Sequence, residues 1–201
     1  MRIALIDYGA GNLASVRKGF AAAGVDLLVP STSAELADCA GLVVPGVGHF
    51  AATSALDASW RQAIIRRVDA GVPLLGICLG MQWLLNGSAE APDIPGLGLI
   101  AGRCERMVVE RPLKVPHVGW NALRIQSGGS LLEGVEDGTQ VYFTHSFAAL
   151  VSPDCTAAAN HGQPFAAVVQ RGHVAGVQFH PEKSGEAGVR MLRNFVTMAR
   201  G

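Results

Sequence analysis

The stretch Val72-Pro-Leu-Leu-Gly-Ile-Cys-Leu-Gly-Met-Gln82 constrains this chain more than any other. A short apolar run of strand type gives way within one turn to the start of a helix, and Gly76 and Gly80 bracket Cys78. Small residues on both sides of one reactive side chain permit a sharp strand-to-helix turn that projects it outward, the cysteine counterpart of a nucleophile elbow. A thiol in that position lies at a helix N-terminus, whose partial positive charge favours the thiolate.

The rest of the first half repeats the alternation. Arg2–Ile6 has strand length, and Asn12 caps a helix with Leu13, Val16 and Phe20 on one face and a stop at Gly24. Asp26–Val29 and Gly41–Val44 read as the next two strands, the latter ending at Pro45-Gly-Val-Gly48. A helix with Trp60, Ile64 and Val68 at four-residue spacing runs to Gly71, and Pro73–Ile77 is the strand leading to Cys78. Strands separated by single helices predict βαβ units on a parallel sheet, with Gly9, Gly11, Gly46, Gly48, Gly76 and Gly80 at the C-terminal strand edge where open α/β sheets place their sites. The second half differs. Gly102–Val109, Val118–Ile125, Thr139–Thr144, Phe165–Arg171 and Val174–Phe179 are rich in Val, Phe and Tyr and separated by turn residues, which predicts a mixed or antiparallel section. A last helix starts at about Glu186, with Val189, Leu192, Phe195 and Val196 inward, and Pro92–Pro95 reads as a surface excursion. The expected fold is α/β, an open, mainly parallel mixed sheet flanked by helices, flavodoxin-like, in one domain over 1–201.

Composition excludes several classes. The hydrophobic fraction of 49% and charged fraction of 16% argue for a packed globule over a disordered chain. Lys plus Arg equals Asp plus Glu at 16 each, so no basic excess supports nucleic-acid binding. No apolar run is long enough to cross a bilayer, and the N-terminal apolar run is cut by Asp7 before it reaches signal-peptide length. Cys39, Cys78, Cys104 and Cys155 have neither CxxC nor zinc-type spacing, which predicts free thiols, no metal or cofactor, and a cytoplasmic location.

A thiol nucleophile requires a base, and His180-Pro-Glu182 follows directly on the predicted strand Val174–Phe179. A carboxylate on the far ring nitrogen of His180 would hold its tautomer and stabilise the imidazolium. His-Pro-Glu alone also describes an ordinary loop. Its conjunction with Cys78, each at the end of a strand, favours a Cys78/His180/Glu182 triad. The other three cysteines read as small buried hydrophobes, and His49, His161 and His173 as loop or turn residues with no special role.

Gly76-Ile-Cys-Leu-Gly-Met-Gln82 together with His180-Pro-Glu182 resembles the triad class of glutamine amidotransferases. Asp7-Tyr-Gly-Ala-Gly-Asn-Leu13, Pro45-Gly-Val-Gly-His-Phe50, Pro116-His-Val-Gly-Trp-Asn121 and His180-Pro-Glu-Lys-Ser184 are similar to the family of glutaminase subunits of imidazole glycerol phosphate synthase, and the likeness runs from Met1 to the last helix. The resemblance implies a cysteine thioester route from glutamine to glutamate and ammonia, in histidine biosynthesis. It implies oxyanion donors at Leu79 N–H and in the Gly46-Val47-Gly48 loop, with Val47 as the second donor. On the residues alone, Pro-Gly-x-Gly reads rather as a plain turn after a strand. Substrate contacts are expected at Gly48, Gln82, His145, Ser146 and Phe147, although Gln82 also reads as a plain polar helix residue. Phe147 stands where the family often has Tyr, so only a main-chain contact is expected there. The implied partner is the cyclase subunit, a (β/α)8 barrel forming a heterodimer, with Asn12, Trp120, Asn121 and Lys183 as the docking face. Trp120 buried in the chain's own core is the alternative. Another triad amidotransferase, and a thiol hydrolase or peptidase on a related fold, remain the competing readings.

Overall fold

A computed structural model describes residues Met1–Gly201. The strands are β1 (Ile3–Leu5), β2 (Gly41–Val44), β3 (Leu74–Ile77), β4 (Cys104–Arg106), β5 (His117–Ala122), β6 (Arg124–Ile125), β7 (Gln140–His145), β8 (Phe147–Ala149), β9 (Cys155–Asn160), β10 (Pro164–Arg171) and β11 (Val174–Val177). The α-helices are α1 (Leu13–Ala22), α2 (Ala58–Asp69), α3 (Leu79–Leu84) and α4 (Gly185–Met198). Seven strands form one sheet in the order β1-β2-β3-β11-β10-β9-β6. Pairing is parallel from β1 through β11 and antiparallel from β11 outward to β6. Two further ribbons, β4 with β8 and β5 with β7, stand apart from that sheet.

The buried strands read as continuous apolar runs because both faces of the parallel section are covered. On one face α1 and α4 pack Val16, Phe20, Leu192 and Phe195 against the sheet, with Phe20 and Phe195 edge to face at 6.2 Å between ring centroids. On the other, α2 and α3 supply Ile64, Val68, Trp83 and Leu84. Helix ends follow local chemistry. The Asn12 side chain accepts from Ser15 N–H, and the Asp57 carboxylate accepts from both Ser59 and Trp60 N–H.

Three sequence expectations change. Asp26–Val29 is not a strand. Only Leu28 bridges β1, exchanging main-chain bonds with Leu5 and Ile3 at 2.7 and 3.0 Å, because the turn after α1 and Pro30 leave too short an extended segment. The single strand expected over Val118–Ile125 divides at the buried Leu123, where the chain leaves β7 and joins β9. Strand β9 went unread, since Cys-Thr-Ala-Ala-Ala-Asn carries little β-propensity and is held by its place between β10 and β6. Pro92–Pro95 does lie at the surface.

Candidate active site

The turn after β3 passes directly from strand to helix at one residue. Cys78 adopts φ 52° and ψ −106°, and it alone among non-glycine residues has positive φ. Such a backbone persists only where its surroundings over-determine it. Here a Cβ on Gly80 would sit 1.8 Å from the Val44 carbonyl oxygen, and one on Gly76 would sit 2.7 Å from Met81 N, so neither position accepts another residue without displacing backbone. Main-chain bonds from Cys78 N–H to Val177 O (2.7 Å) and from Gln82 N–H to Cys78 O (3.1 Å) hold the turn on both sides.

The same register brings the second half to the thiol. Ile77 pairs with Val177, so Cys78 and Gln178 leave the sheet side by side, and the chain then reaches His180. His180 N–H donates to Tyr142 O at 2.9 Å. Ser184 ties the following turn, donating from Oγ to His180 O at 2.7 Å and accepting from Tyr142 N–H at 3.0 Å. His180 Nδ1 donates to Glu182 Oε1 at 2.8 Å, with both side chains nearly sealed from solvent at 3% and 2% exposure. Burial alone would pull the imidazole pKa down. The facing Cys78 sulfur and the Glu182 carboxylate outweigh it and push the value up to about 9. His180 Nε2 and Glu182 Oε2 have no hydrogen-bond partner of their own. With Nδ1 committed to the carboxylate, Nε2 is the nitrogen left for chemistry.

Cys78 opens into a cavity of about 260 Å³ walled by Val47, Gly48, Gln82, His145, Ser146 and Phe147. A larger cleft of about 1030 Å³ lies between α1 and α4, where it touches Glu182 but not Cys78. In the small cavity Phe147 contributes its main-chain carbonyl, which accepts from Gln82 Nε2 and His145 Nδ1, both at 3.0 Å. Gln82 Nε2 is therefore committed within the protein, and only its Oε1 remains for a ligand. Glu90, absent from the sequence expectations, also lines the cavity and accepts from Phe50 N–H through Oε2 at 2.7 Å. It sits in the irregular segment after α3, where no periodicity or motif marks it. His117 was likewise overlooked. It stacks on His161 at 4.1 Å and donates from Nδ1 to His145 Nε2 at 3.1 Å, so His161 is a packing partner and not an isolated turn residue. Burial lowers the pKa of His117 to about 3 and of His145 to about 4, which keeps both neutral. No group of three His, Cys, Asp or Glu side chains converges as a metal site.

The expected oxyanion donors require correction in this conformation. Leu79 N–H donates to Gly46 O at 3.3 Å, and Val47 N–H donates to Ala10 O at 3.2 Å, so neither is free. Both bonds involve one peptide unit, since the Gly46 carbonyl and the Val47 amide share a plane. Tyr8 helps to hold it by donating from its hydroxyl to Pro45 O at 2.8 Å. A Cβ at Gly46 would collide with that hydroxyl at 2.2 Å and with Leu79 Cβ at 2.8 Å.

Among the expected docking residues, Trp120 is 57% exposed, which excludes burial in the chain's own core. Its ring meets Tyr142 at 6.1 Å, and Lys183 Nζ lies 5.8 Å from the same Tyr142 ring, so the three form one surface. Val118, also exposed, extends it along β5. Asn12 is exposed at the start of α1, occupied as its cap. Asn121 is half-buried and already engaged, donating to Asn160 O at 2.7 Å. His49 caps the turn over Phe50–Ala55, and His173 bonds Val68 O at 2.9 Å.

The family model for glutamine amidotransferase class-I matches residues 4–199, so fold and chain together define that class. A solved glutamine amidotransferase superposes with a TM-score of 0.78 over 100% of both chains at 19% identity, which speaks for the fold. Proteins described as imidazole glycerol phosphate synthase subunit HisH are far closer in sequence. That of Methanothermobacter thermautotrophicus is 45% identical, covering 98% of this chain and 99% of its own length. That of Gloeobacter violaceus is 46% identical, covering 98% and 89%. The chain belongs to the class-I glutamine amidotransferases and, within them, to the HisH family, the glutaminase subunits of imidazole glycerol phosphate synthase.

Proposed function

We propose that the chain hydrolyses glutamine to glutamate at Cys78 and passes the ammonia to a cyclase subunit for imidazole glycerol phosphate formation in histidine biosynthesis. The observation that carries this reading is Cys78 on a strained turn facing a sealed His180–Glu182 pair. The Cys78 thiolate attacks the side-chain amide carbon, and the C–N bond breaks as His180 Nε2 gives its proton to the departing nitrogen. Water then loses a proton to His180 and attacks the thioester, releasing glutamate and restoring the thiolate. Glu182 holds the ring and stabilises its charged form throughout. The cavity suits one amino acid. At about 260 Å³ it lies below the roughly 300–1,000 Å³ of drug-sized sites, which disfavours a peptidase. Glu90 and Gln82 Oε1 are the acceptors for the substrate ammonium group, and the main chain at Gly48, with His145 and Ser146, faces the rest of the amino acid.

Turnover requires rotation of the Gly46–Val47 peptide. That one movement turns Val47 N–H toward the oxyanion and frees Leu79 N–H, so the donors form together. The partner is the cyclase, a (β/α)8 barrel, docking on Trp120, Tyr142 and Lys183 with Asn12 and Asn121 at the margin. An exposed Trp beside a Lys supplies the aromatic anchor such interfaces favour. Direct transfer keeps ammonia from becoming ammonium in bulk water. The four unpaired thiols are in keeping with a reducing cytoplasm. Glutamate release from glutamine, measured with and without the cyclase for wild type and Cys78→Ser, is the test. Release is expected only in the wild type, rising with the partner. Equal release by the variant would refute the mechanism, and indifference to the cyclase would refute the partner.

A further inference from the structure

One buried side chain touches the reacting sulfur and has so far been given no part in the reaction. Gln178 is fully buried, and its Nε2 lies 3.7 Å from Cys78 Sγ. Its main-chain N–H donates to Ala167 O at 2.9 Å, so the residue is held at the end of β11 beside the elbow. The orientation of its carboxamide is dictated from outside. The Phe147 carbonyl can only accept, so Gln82 must present Nε2 to it, at 3.0 Å. The same Gln82 Nε2 lies 3.1 Å from Gln178, which must then present Oε1 to receive it. That leaves Gln178 Nε2, a donor with no acceptor role, facing the sulfur. His145 Nδ1–H occupies the other lone pair of the Phe147 carbonyl at 3.0 Å, so the anchor accepts no third donor.

We propose that Gln178 is a further catalytic residue, whose carboxamide donates to Cys78 Sγ and stabilises the thiolate, with Gln82 and the Phe147 carbonyl fixing its orientation. This rests on Cys78 being the nucleophile. A sulfur that accepts from Gln178 keeps its own proton for His180 Nε2, the ring nitrogen without a partner. Hydrogen bonds to ionised groups are stronger than those to neutral ones, so the contact favours thiolate over thiol and thioester. It acts twice in the cycle. It enlarges the attacking thiolate population, and it makes the same sulfur a better leaving group when water cleaves the thioester. The relay also links the nucleophile to Gln82, a wall of the substrate cavity.

The test is alkylation of the full-length chain by iodoacetamide across pH, without glutamine, read as mass gain on the Cys78 peptide. Cys39, Cys104 and Cys155 are buried, with thiol pKa values raised mainly by that burial, so they react slowly. Gln178→Met keeps the length and removes the donor. If the donor moves ionisation by about one pH unit, the variant alkylates roughly threefold more slowly near pH 7 and roughly threefold faster where both thiols are fully ionised, because nucleophilicity rises as acidity falls. A loss of packing alone does not make the two profiles cross. A folded Gln178→Met with the wild-type profile would overturn the proposal. Should that variant fail to fold, Gln82→Met decides. Release of the Gln178 amide should displace the profile in the same direction by a smaller amount, and an unchanged profile would overturn the proposal. Wild-type turnover lost on alkylation of Cys78 tests the nucleophile itself, so failure of that premise is separable from failure of this inference.

Discussion

The two halves of the active centre stand in different states of readiness. On the base side, His180 and Glu182 are bonded at 2.8 Å, sealed from water, and tied through Ser184 to strand β7. On the proposed oxyanion side, the peptide between Gly46 and Val47 ties up both proposed donors, with its carbonyl on Leu79 N–H and its own amide on Ala10 O. The difference follows from what carries each half. The base half is anchored to the sheet and its ribbon, whereas the oxyanion half is a glycine loop beyond the last paired residue of β2. A turn pinned to a strand by hydrogen bonds at both His180 and Ser184 is held to tight geometry, and loops without such ties are where alternative conformations of similar energy occur. The pairing suggests a division of labour in which the reacting groups are permanent and the donors are assembled on demand.

Breaking the permanent half should have the largest effect. His180→Ala should lower partner-stimulated glutamate release by on the order of 10⁴-fold, because nothing then protonates the departing nitrogen or takes the proton from the attacking water. Retention of activity within tenfold would remove His180 from the mechanism. Glu182→Gln should cost on the order of 10³-fold, since the amide can favour the wrong tautomer of His180. A full pH–rate profile would show the loss across the range, not merely a displaced optimum.

Histidines from the two sides also answer pH with opposite signs, which sharpens the contrast. His145, in the cavity wall, and His117, hydrogen-bonded to it, are lowered to about 4 and about 3, mainly by burial, from an ordinary 6.5. The unfolded chain binds their protons first, so the stability they confer is complete above pH 6.5 and lost as pH falls. His180 is raised to about 9, so its contribution is complete below pH 6.5 and lost as pH rises through 9. Denaturant unfolding should therefore give a maximum near pH 6.5–7 and a loss of about 3 kcal/mol on going to pH 5. A flat profile between pH 5 and 7 would show that His117 and His145 are not held neutral. The smallest effect belongs to the loop. Tyr8→Phe removes the hydrogen bond to Pro45 O and should raise partner-free glutamate release by about threefold to tenfold, the worth of one hydrogen bond. Release that stays flat or falls would mean that Tyr8 does not restrain the peptide.

Much of this centre was readable before any coordinates, and the unreadable parts share a cause. Cys78 and His180-Pro-Glu182 announce themselves because their chemistry depends on local spacing: glycines two residues either side, a carboxylate two residues on. Trp120 and Lys183 were legible as a surface, but Tyr142, which joins them, was not, because it arrives on a neighbouring strand. Glu90 carries no local signature, and His117 is marked only as part of the Pro116–Asn121 motif, with no role attached; both become neighbours of the site only when distant segments fold against it. Gln178 lies just past the end of β11, where a strand was expected to run on to Phe179, and its relation to Cys78 spans 100 positions. The segment Asp26–Val29 misled for the reverse reason. Its apolar pattern is that of a strand, but strand identity depends on having enough length to pair.

By itself the sequence determined where the proposed nucleophile sits, which residues could serve as its base, and that an α/β sheet would carry both, since turn chemistry and hydrophobic period act over a few residues. Only the tertiary structure decided which amide faces the sulfur, which carboxylate reaches the cavity, and that the Gly46–Val47 peptide bonds inward. Those outcomes depend on hydrogen bonds between segments far apart in the chain, and each donor's choice is set by what its neighbours have already accepted.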